Sequence, residues 1–507
     1  MRTKLIFLGG VLGLASGMLQ AQNLPRLGDE GLMPLSDELR IGVDVARSIY
    51  SQPDYLDDPL LVEYVDGIFS RLMAAGRANG SIDPAMGRFP WRVLQGADTS
   101  INAFAVPGGV LGLHLATIGV TERSDELASV LAHEISHVTQ RHIARLQVKQ
   151  KRLQPIMIGS LILGAIAAGK NADLGNAVMV GGQGLAAQQQ LAFSRDMERE
   201  ADRVGFGLMQ QAGFNTAGFA AMFEKLQNAN RINDDGRYPY LRSHPLTTER
   251  IADMRMRAPA DSLNKAAPDL HHLLMAARAR TLATERVDAW RTMQKQAQAQ
   301  QQTPSGSAVQ RMALLYQGAL ASLRLQEPAA AQQLNAALQR IVVGMTTQAG
   351  QSLAQRQQMA QVQRIMNLLV NDIGKSQGNW TEVVRATAGA ADMYRPEFLL
   401  YAQALLNTQQ IGVAREKLQT WVADHPGDAA AWLLLAQTYN RLGQSAQMAK
   451  AQGEAALAQF DYARGLEYLK SARQLTGADL YEGSILDARI RQVQAEQKDM
   501  DEKLIGD

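Results

Sequence analysis

The sequence predicts a mainly α-helical protein with one small β-sheet, in which a first helical part is followed by an α-helical solenoid. Three observations support this fold class. Apolar residues recur at helical spacing along most of the 507 residues, two runs rich in β-forming residues lie between residues 91 and 106, and a 34-residue period begins at Phe398. A hydrophobic share of 46% is enough for a chain of this length to bury a core without disulfides.

The first residues have the pattern of a secretory signal peptide. Arg2 and Lys4 precede an apolar run from Leu5 to Leu19, and Ala21 offers a cleavage position. We therefore predict a signal peptide over residues 1–21, cleaved near Ala21, and a periplasmic location. The run is too short for a membrane anchor, and a sequence without cysteine has neither a lipid anchor at this signal nor disulfides.

The predicted first part, residues 22–293, contains the small sheet. Trp91–Leu94 and Asn102–Val106 are rich in β-formers and are followed by glycine-containing turns, which indicates a sheet with a hairpin. An open strand edge can bind an extended peptide by strand addition, and a purely structural strand under a helix is the compatible alternative. The candidate substrate strand consists of Asn102, Ala103, Phe104 and Ala105.

The motif H-E-x-x-H is the most informative feature of the sequence. Its histidines, His133 and His137, are four residues apart and so share one face of a helix, where two imidazoles can bind one metal ion. Glu134 lies next to the first histidine and can act as general base toward a metal-bound water. The pattern is typical of zinc hydrolases, although a motif with three fixed positions also occurs by chance.

A zinc hydrolase needs a third protein ligand, and a later segment offers one. Glu198 and Asp202 are again four residues apart, so one helix can present Glu198 to the metal and Asp202 to the ring N–H of a ligand histidine. The alternative is an ordinary charged helix face, on which Glu198 and Glu200 pair with neighbouring arginines.

Three stretches together resemble a family of metallopeptidases that includes the membrane-bound CAAX prenyl proteases and the heat-shock protease HtpX. They are Ser124–His142, Ser194–Asp202 and Asn102–Gly109. The resemblance implies a zincin-like domain that hydrolyses peptide bonds with a water activated by one Zn²⁺ per chain. The implied metal ligands are His133, His137 and Glu198. Glu134 is implied as the catalytic base. Asp202 is implied as a residue that does not bind the metal itself and instead orients one of its ligands.

The resemblance also implies that His244, in the loop Ser243-His244-Pro245, approaches the zinc. Two roles stay open: His244 stabilises the oxyanion during turnover, or it occupies the fourth coordination position as an autoinhibitory latch, which we favour. His142 follows His133 by nine residues and so would face away from it on one helix, which predicts either helix capping or packing behind the site rather than metal binding. For Arg250 a helix-surface position is expected, and assistance to the site is the alternative. The remaining histidines, expected to be structural, are His114, His271, His272 and His425.

The segment Pro155–Ala187 lies between the two helices that carry the metal motifs. Its residues 156–169 are uncharged, rich in small side chains and too few to span a membrane. Three interpretations stay open: a buried helix or hairpin, a lid that faces the substrate, or a segment that makes peripheral contact with a membrane. We disfavour membrane contact because no basic amphipathic face accompanies the apolar run.

A run of Gln, Ala, Thr, Pro, Gly and Ser over residues 294–307 is typical of a linker. Beyond it, residues 308–490 have the spacing of tetratricopeptide repeats, with residues 491–507 as a C-terminal tail. Each repeat buries its apolar face only against its neighbours, so the array is expected to leave a concave surface for a peptide or protein partner. Generic helical hairpins are the alternative interpretation.

The order of signal peptide, metallopeptidase and repeat array resembles that of a bacterial family of periplasmic proteases. The resemblance implies quality control of unfolded or stalled outer-membrane β-barrel precursors, with the array docking on the barrel-assembly machinery. A net charge of +2 with dispersed basic residues argues against nucleic acid. The alternative function is a chaperone or adaptor that binds barrel precursors through the array and holds a structural zinc. Glu134 argues against that alternative, because a structural site needs no carboxylate between its histidines.

Overall fold

The structure is a computed structural model that describes residues 32–150, 194–232, 239–258, 269–346, 352–477 and 479–502. The predicted signal peptide and the segment Pro155–Ala187 lie outside the described residues. None of the helices searched within these ranges combines the length and the hydropathy needed to cross a membrane. The described residues form a mainly α-helical structure with one three-stranded sheet, as the sequence predicts.

The N-terminal part extends to residue 282. Its elements are α1 (Leu35–Tyr50), α2 (Pro59–Ala78), a short 3₁₀ helix (Pro84–Arg88), β1 (Arg92–Gly96), β2 (Ala103–Val106), β3 (Val110–His114), α3 (Leu115–Val120), α4 (Ser124–Thr139), α5 (His142–Gln150), α6 (Arg195–Gln211), α7 (Ala217–Ile232), α8 (Pro239–Ser243), α9 (Thr248–Arg257) and α10 (Leu270–Leu282).

The C-terminal part is helical throughout the residues described. Its elements are α11 (Val287–Gln302), α12 (Ala308–Arg324), α13 (Pro328–Thr346), α14 (Leu353–Ser376), α15 (Trp380–Thr387), α16 (Arg395–Asn407), α17 (Ile411–Asp424), α18 (Ala429–Arg441), α19 (Ser445–Ala458), α20 (Tyr462–Leu475) and α21 (Leu480–Glu502).

The sheet has the strand order β1-β3-β2. The sheet contains a hairpin, but its second strand is one that the sequence analysis did not name: β2 and β3 are joined by a turn at Gly108 and Gly109, both at a φ of +85°, while β1 runs parallel to β3. The sequence did not predict β3, because a glycine at its centre lowers its strand propensity. That glycine, Gly112, is required by packing: a Cβ at this position would lie 2.1 Å from the Phe104 ring.

Strand β2 has an open edge. It pairs with β3 on one side only, as far as the described strands extend. The Asn102 carbonyl accepts a hydrogen bond from the His114 N–H on β3 (3.0 Å). Since backbone groups alternate along a strand, Ala103 and Ala105 direct their N–H and C=O groups to the opposite, open edge. Helix α4 packs against this strand.

Helix α4 lies at the centre of the N-terminal part. Asp125 and Glu126 occupy its first turn, where negative charge is favourable, and Arg141, at a φ of +54°, follows its end. All of its residues from Asp125 to Thr139 are buried, and α2, α6 and α7 pack around it. A central helix with buried polar residues must satisfy them internally, and the residues that do so form the site described below.

The predicted linker over residues 294–307 is wrong for most of its length. Helix α11 continues to Gln302, with Gln294 and Ala297 buried, and Ser307 begins α12 with a capping box. Glutamine and alanine are good helix formers, so this composition suits a helix as well as a linker. One apolar core extends from α2 through Ala297 to α16, so the core does not end at the predicted boundary.

Each of the last six helices packs against the next one along the chain. Helices α16 and α18 begin at Arg395 and Ala429, 34 residues apart, which matches the predicted period. Phe398 stacks on Trp421 at 4.0 Å between ring centroids. The predicted boundary at residue 490 falls inside the continuous helix α21. The assignment to tetratricopeptide repeats remains a prediction.

Candidate active site

Four buried side chains from three elements converge at the centre of the N-terminal part. His133 and His137 come from α4, Glu198 from α6 and His244 from the residue that follows α8, and one ligand atom of each lies within 4.8 Å of the others. Each residue is at most 2% exposed. The spacing of four residues places the two α4 histidines on one helix face, as the sequence predicts.

The distances within this cluster fit a tetrahedral metal ion. Two ligands of such an ion at about 2.1 Å lie roughly 3.4 Å apart. The Nε2 atom of His133 lies 2.9 Å from His137 Nε2, 3.2 Å from His244 Nδ1 and 3.5 Å from Glu198 Oε2. Glu198 Oε1 lies 3.4 Å from His137 Nε2 and 3.1 Å from His244 Nδ1. Imidazole and carboxylate groups are the ligands typical of zinc, so the residues present suit this ion.

The Glu134 carboxylate lies in a buried position beside the cluster. The residue is fully buried, and neither oxygen has a hydrogen-bond partner of good geometry among the described residues. Its Oε1 atom lies 3.4 Å from His244 Nε2. Burial raises the pKa of Glu134, and the nearby His244, His133 and Ala105 N–H oppose that shift. A buried carboxylate of this kind is costly unless it serves a ligand or a substrate.

Asp202 makes the contact that the sequence predicts. Its Oδ1 atom lies 2.9 Å from His133 Nδ1, so it accepts the ring N–H on the side opposite to the cluster. Such a contact fixes the histidine tautomer and leaves Nε2 free to bind a metal.

Arg250 is not on a helix surface, and that expectation is wrong. It is 3% exposed and donates to both oxygens of Asp202, at 2.6 and 2.8 Å. Its Nη1 atom lies 2.7 Å from Glu198 Oε2 and donates to the Pro245 carbonyl at 2.9 Å. One guanidinium therefore contacts Glu198, Asp202 behind His133 and the loop of His244. A helical position in the sequence does not reveal this role, because the partners lie on other elements.

Tyr240 is a second contact that the sequence analysis missed. Its ring stacks on His244 at 4.6 Å, and the residue is 4% exposed. The backbone N–H of His244 donates to the Tyr240 carbonyl at 2.9 Å. Only the spacing of four residues in the sequence hinted at this contact. The stack limits the orientation of the His244 ring.

The predicted packing of His142 behind the site is observed. Its Nδ1 atom lies 2.9 Å from His137 Nδ1, on the side of the His137 ring that faces away from the cluster. The other histidines expected to be structural lie outside the cluster. His114 contacts Ser100, His271 and His272 contact Tyr64, and His425 stacks on Trp421.

The site as a whole favours a positive charge. Burial alone would lower the pKa of His133, but Glu198 and Asp202 raise it to about 10. Burial alone would raise the pKa of Glu198, but His244 and His133 hold it well below its usual range. The buried carboxylates thus remain negative and stabilise a cation beside them, which is the electrostatic requirement of a metal site.

Residues 69–258 match the profile of peptidase family M48, and the match covers all four members of the cluster. The chain carries an M48 metallopeptidase domain. This family implies a divalent metal ion, and the cluster provides a group of residues that can hold it.

Relatives with similar sequences have names that agree with this family. The beta-barrel assembly-enhancing protease of Escherichia coli K12 is 29% identical over 485 residues, which are 93% of this chain and 91% of the relative. The protein of the same name from Yersinia pestis is 35% identical over 249 residues, 48% of this chain and 49% of the relative. The mitochondrial metalloendopeptidase OMA1 of Saccharomyces cerevisiae is 28% identical over 227 residues, 43% of this chain and 62% of the relative.

The M48 domain also includes the candidate substrate strand. Helix α4 lies against β2, and the Ala105 N–H at the open edge lies close enough to lower the pKa of Glu134. The open edge of β2 therefore faces Glu134 rather than a remote surface. Among the residues the sequence singled out, the cluster, Glu134, Asp202 and this strand are together in space.

Proposed function

We propose that this metallopeptidase is a zinc endopeptidase of the bacterial periplasm that acts in the assembly and quality control of outer-membrane β-barrel proteins. The observation that carries the peptidase chemistry is the buried, unsatisfied Glu134 carboxylate beside a cluster that can hold a metal. The names of the bacterial relatives support the barrel-related part of the proposal.

We assign His133, His137 and Glu198 as the ligands of one Zn²⁺. When bound, zinc polarises the scissile carbonyl and lowers the pKa of water to about 7. Glu134 takes the proton of the attacking water and returns it to the leaving amine. Burial supports this role, because it raises the pKa of Glu134 and so makes its carboxylate a stronger base toward the attacking water.

The open edge of β2 is proposed to bind the substrate backbone. The N–H and C=O groups of Ala103 and Ala105 point to that edge, where an extended peptide can add as a further strand. Backbone hydrogen bonds hold any extended sequence, so this mode suits a protease whose substrates are unfolded segments of varied sequence.

His244 is proposed to act as an autoinhibitory latch. Its Nδ1 atom is within ligand distance of the cluster, and its Nε2 atom lies 3.4 Å from the general base. A histidine at this position competes with water and substrate for the metal. The Tyr240 stack and the Arg250 contact to Pro245 support this arrangement of the loop. Oxyanion stabilisation by His244 is the second candidate role, and it requires the ring to move away from Glu134.

The remaining parts of the proposal concern location and partners. The signal peptide predicted for residues 1–21 supports export to the periplasm. The helical array that begins at Arg395 is proposed to dock on the barrel-assembly machinery or on stalled barrel precursors, and we propose no nucleic-acid partner. Peripheral membrane contact through residues 155–187 stays an open prediction.

A chaperone or adaptor with a structural zinc is the competing function. To separate the two, we would measure casein degradation and bound metal for the wild type and for Glu134→Gln, with Glu122→Gln as a surface control. We expect Glu134→Gln to keep the metal and lose hydrolysis, because the ligands are intact and the base is gone. Measurable degradation by Glu134→Gln at the wild-type rate would contradict the assignment. Because the proposed latch lowers wild-type activity, the chaperone would be favoured only if the wild type and His244→Ala are both inactive.

A further inference from the structure

We propose that Glu200 and His142 are positioning residues for the metal centre and act on it as one hydrogen-bonded chain, Glu200–His142–His137. Glu200 has 30% of its side chain exposed, whereas His142 and His137 are buried. The chain therefore connects a partly exposed carboxylate on α6 with a ligand on α4, through the first residue of α5. The inference rests on the proposed metal centre.

The geometry permits one arrangement of protons along this chain. His137 presents Nε2 to the cluster, so a neutral His137 ring carries its proton on Nδ1. That N–H donates to His142 Nδ1 at 2.9 Å, which must then be the unprotonated nitrogen of its ring. His142 carries its own proton on Nε2 and donates it to Glu200 Oε2 at 3.2 Å. The carboxylate thus selects the tautomer of His142, and His142 in turn that of His137.

The two α4 ligands are supported in different ways. His133 donates directly to a buried carboxylate, Asp202, which Arg250 holds from behind. His137 reaches its carboxylate only through His142, and Arg145 holds that carboxylate with a hydrogen bond of 2.8 Å. Each of the two histidines is therefore linked by hydrogen bonds to a carboxylate–arginine pair. The pair behind His133 is buried, and the pair behind His137 lies near the surface. The outer pair can be changed without a change to any residue of the cluster.

The chain predicts how substitutions combine. Because Glu200 acts on the metal only through His142, removal of Glu200 should have no further effect once His142 can no longer accept from His137. Two independent structural roles would instead give effects on metal affinity that multiply in the double variant. The interposed histidine thus makes the inference testable by a double-variant cycle.

The experiment measures zinc affinity of the full-length, metal-free protein by competition with a chromogenic chelator. The variants are Glu200→Ala, His142→Phe, the double variant and Glu200→Gln, and the control is Asp196→Ala, an exposed carboxylate on the same helix. We expect Glu200→Ala and His142→Phe to bind zinc roughly 10- to 100-fold more weakly than the wild type. The double variant should equal His142→Phe, and Glu200→Gln, whose carbonyl still accepts from His142, should recover most of the affinity.

Four outcomes would contradict the inference or its premise. Glu200→Ala with the affinity of Asp196→Ala, or a double variant in which the two losses multiply, overturns the chain. If His142→Phe does not fold, as judged by circular dichroism, the difference between Glu200→Ala and Glu200→Gln decides, and equal losses in both overturn it. A wild type that binds no zinc removes the proposed metal centre itself, which distinguishes failure of the proposed function from failure of this inference.

Discussion

Arg250 and Asp202 are joined inside the protein by two hydrogen bonds of 2.6 and 2.8 Å. The pair joins α9 to α6, and Asp202 also accepts a hydrogen bond from the ring N–H of His133. A two-pronged contact of this kind depends on the planar guanidinium, because a lysine ammonium cannot match both carboxylate oxygens in the same way.

We therefore expect Arg250→Lys to weaken zinc binding by roughly 10- to 100-fold, in the range found for groups that orient metal ligands. The variant should also unfold at a lower temperature, since a buried carboxylate loses its partner. Arg255→Lys is the matched control. Arg255 lies on α9, as Arg250 does, but it is exposed and pairs with Glu224 of α7 at the surface. Equal zinc affinity in the two variants would contradict the role of Arg250.

His244→Ala separates the latch from the oxyanion role. If His244 is a latch, its removal opens a coordination position, so hydrolysis of an unstructured peptide should become faster while zinc stays bound through three ligands. If His244 stabilises the oxyanion, the initial rate should fall on the order of 10²-fold. The initial rate on one peptide, with zinc content measured on the same sample, checks the latch. A slower variant contradicts it.

Much of the site could be predicted from local spacing. The four-residue intervals 133–137 and 198–202 place their side chains on common helix faces, and these faces meet as expected. Arg250 could not be predicted in this way, because its partner Asp202 lies on another helix and no interval within its own segment carries that information. The four-residue interval 240–244 allows the stack of Tyr240 on His244, but it does not show that the pair lies beside the cluster.

A buried histidine outside the site predicts a pH dependence of stability. Burial lowers the pKa of His272 to about 4, and its Nδ1 atom lies 2.6 Å from the Tyr64 hydroxyl. The unfolded histidine titrates near 6.5, so between about pH 6.5 and 4 the unfolded chain binds the proton first. The stability that neutral His272 provides is complete above pH 6.5 and falls, by up to about 3 kcal/mol, as pH drops toward 4.

The comparison of the wild type with His272→Gln isolates this contribution. The amide keeps a hydrogen-bonding group near Tyr64 but takes up no proton in this range. We expect the free energy of unfolding, measured with urea at pH 7, 6 and 5, to fall less steeply in the variant. Parallel curves for the two proteins would show that His272 does not contribute to the acid sensitivity.

The helix found in place of the predicted linker changes what truncation should do. A chain that ends at Gln302 loses α12, in which Met312 and Tyr316 are fully buried against the N-terminal part. The Arg278 guanidinium donates to the Tyr316 hydroxyl across this contact, at 3.3 Å. We expect the shortened chain to unfold at a clearly lower temperature than the full chain, because α10 loses its cover.

A chain that ends at Gly477 serves as the control, because it keeps α12 and lacks only α21 and the residues that flank this helix. Differential scanning calorimetry of the three chains gives the answer. A chain ending at Gln302 that unfolds at the temperature of the full chain would support the independent domain that the composition suggested.

The sequence predicted the fold class correctly, but it predicted the positions where elements begin and end less well. Apolar spacing and the 34-residue period predicted the helices, and β-forming runs predicted β1 and β2. The composition of residues 294–302 predicted a linker where the structure has a helix. Glutamine and alanine are compatible with both, and the burial of Ala297 stabilises the helix. Strand β3 was missed for a similar reason: Gly112 is unfavourable in a strand by itself, and only the Phe104 ring beside it explains its presence.

The central claim is that the buried cluster of His133, His137, Glu198 and His244 holds the metal ion of a peptidase. The most direct test measures zinc per chain and degradation of an unfolded substrate on one preparation, before and after chelation and after zinc is returned. We predict one zinc ion per chain, loss of degradation when it is removed, and recovery when one equivalent is added. Degradation at the original rate by a protein shown to be free of metal would contradict the claim.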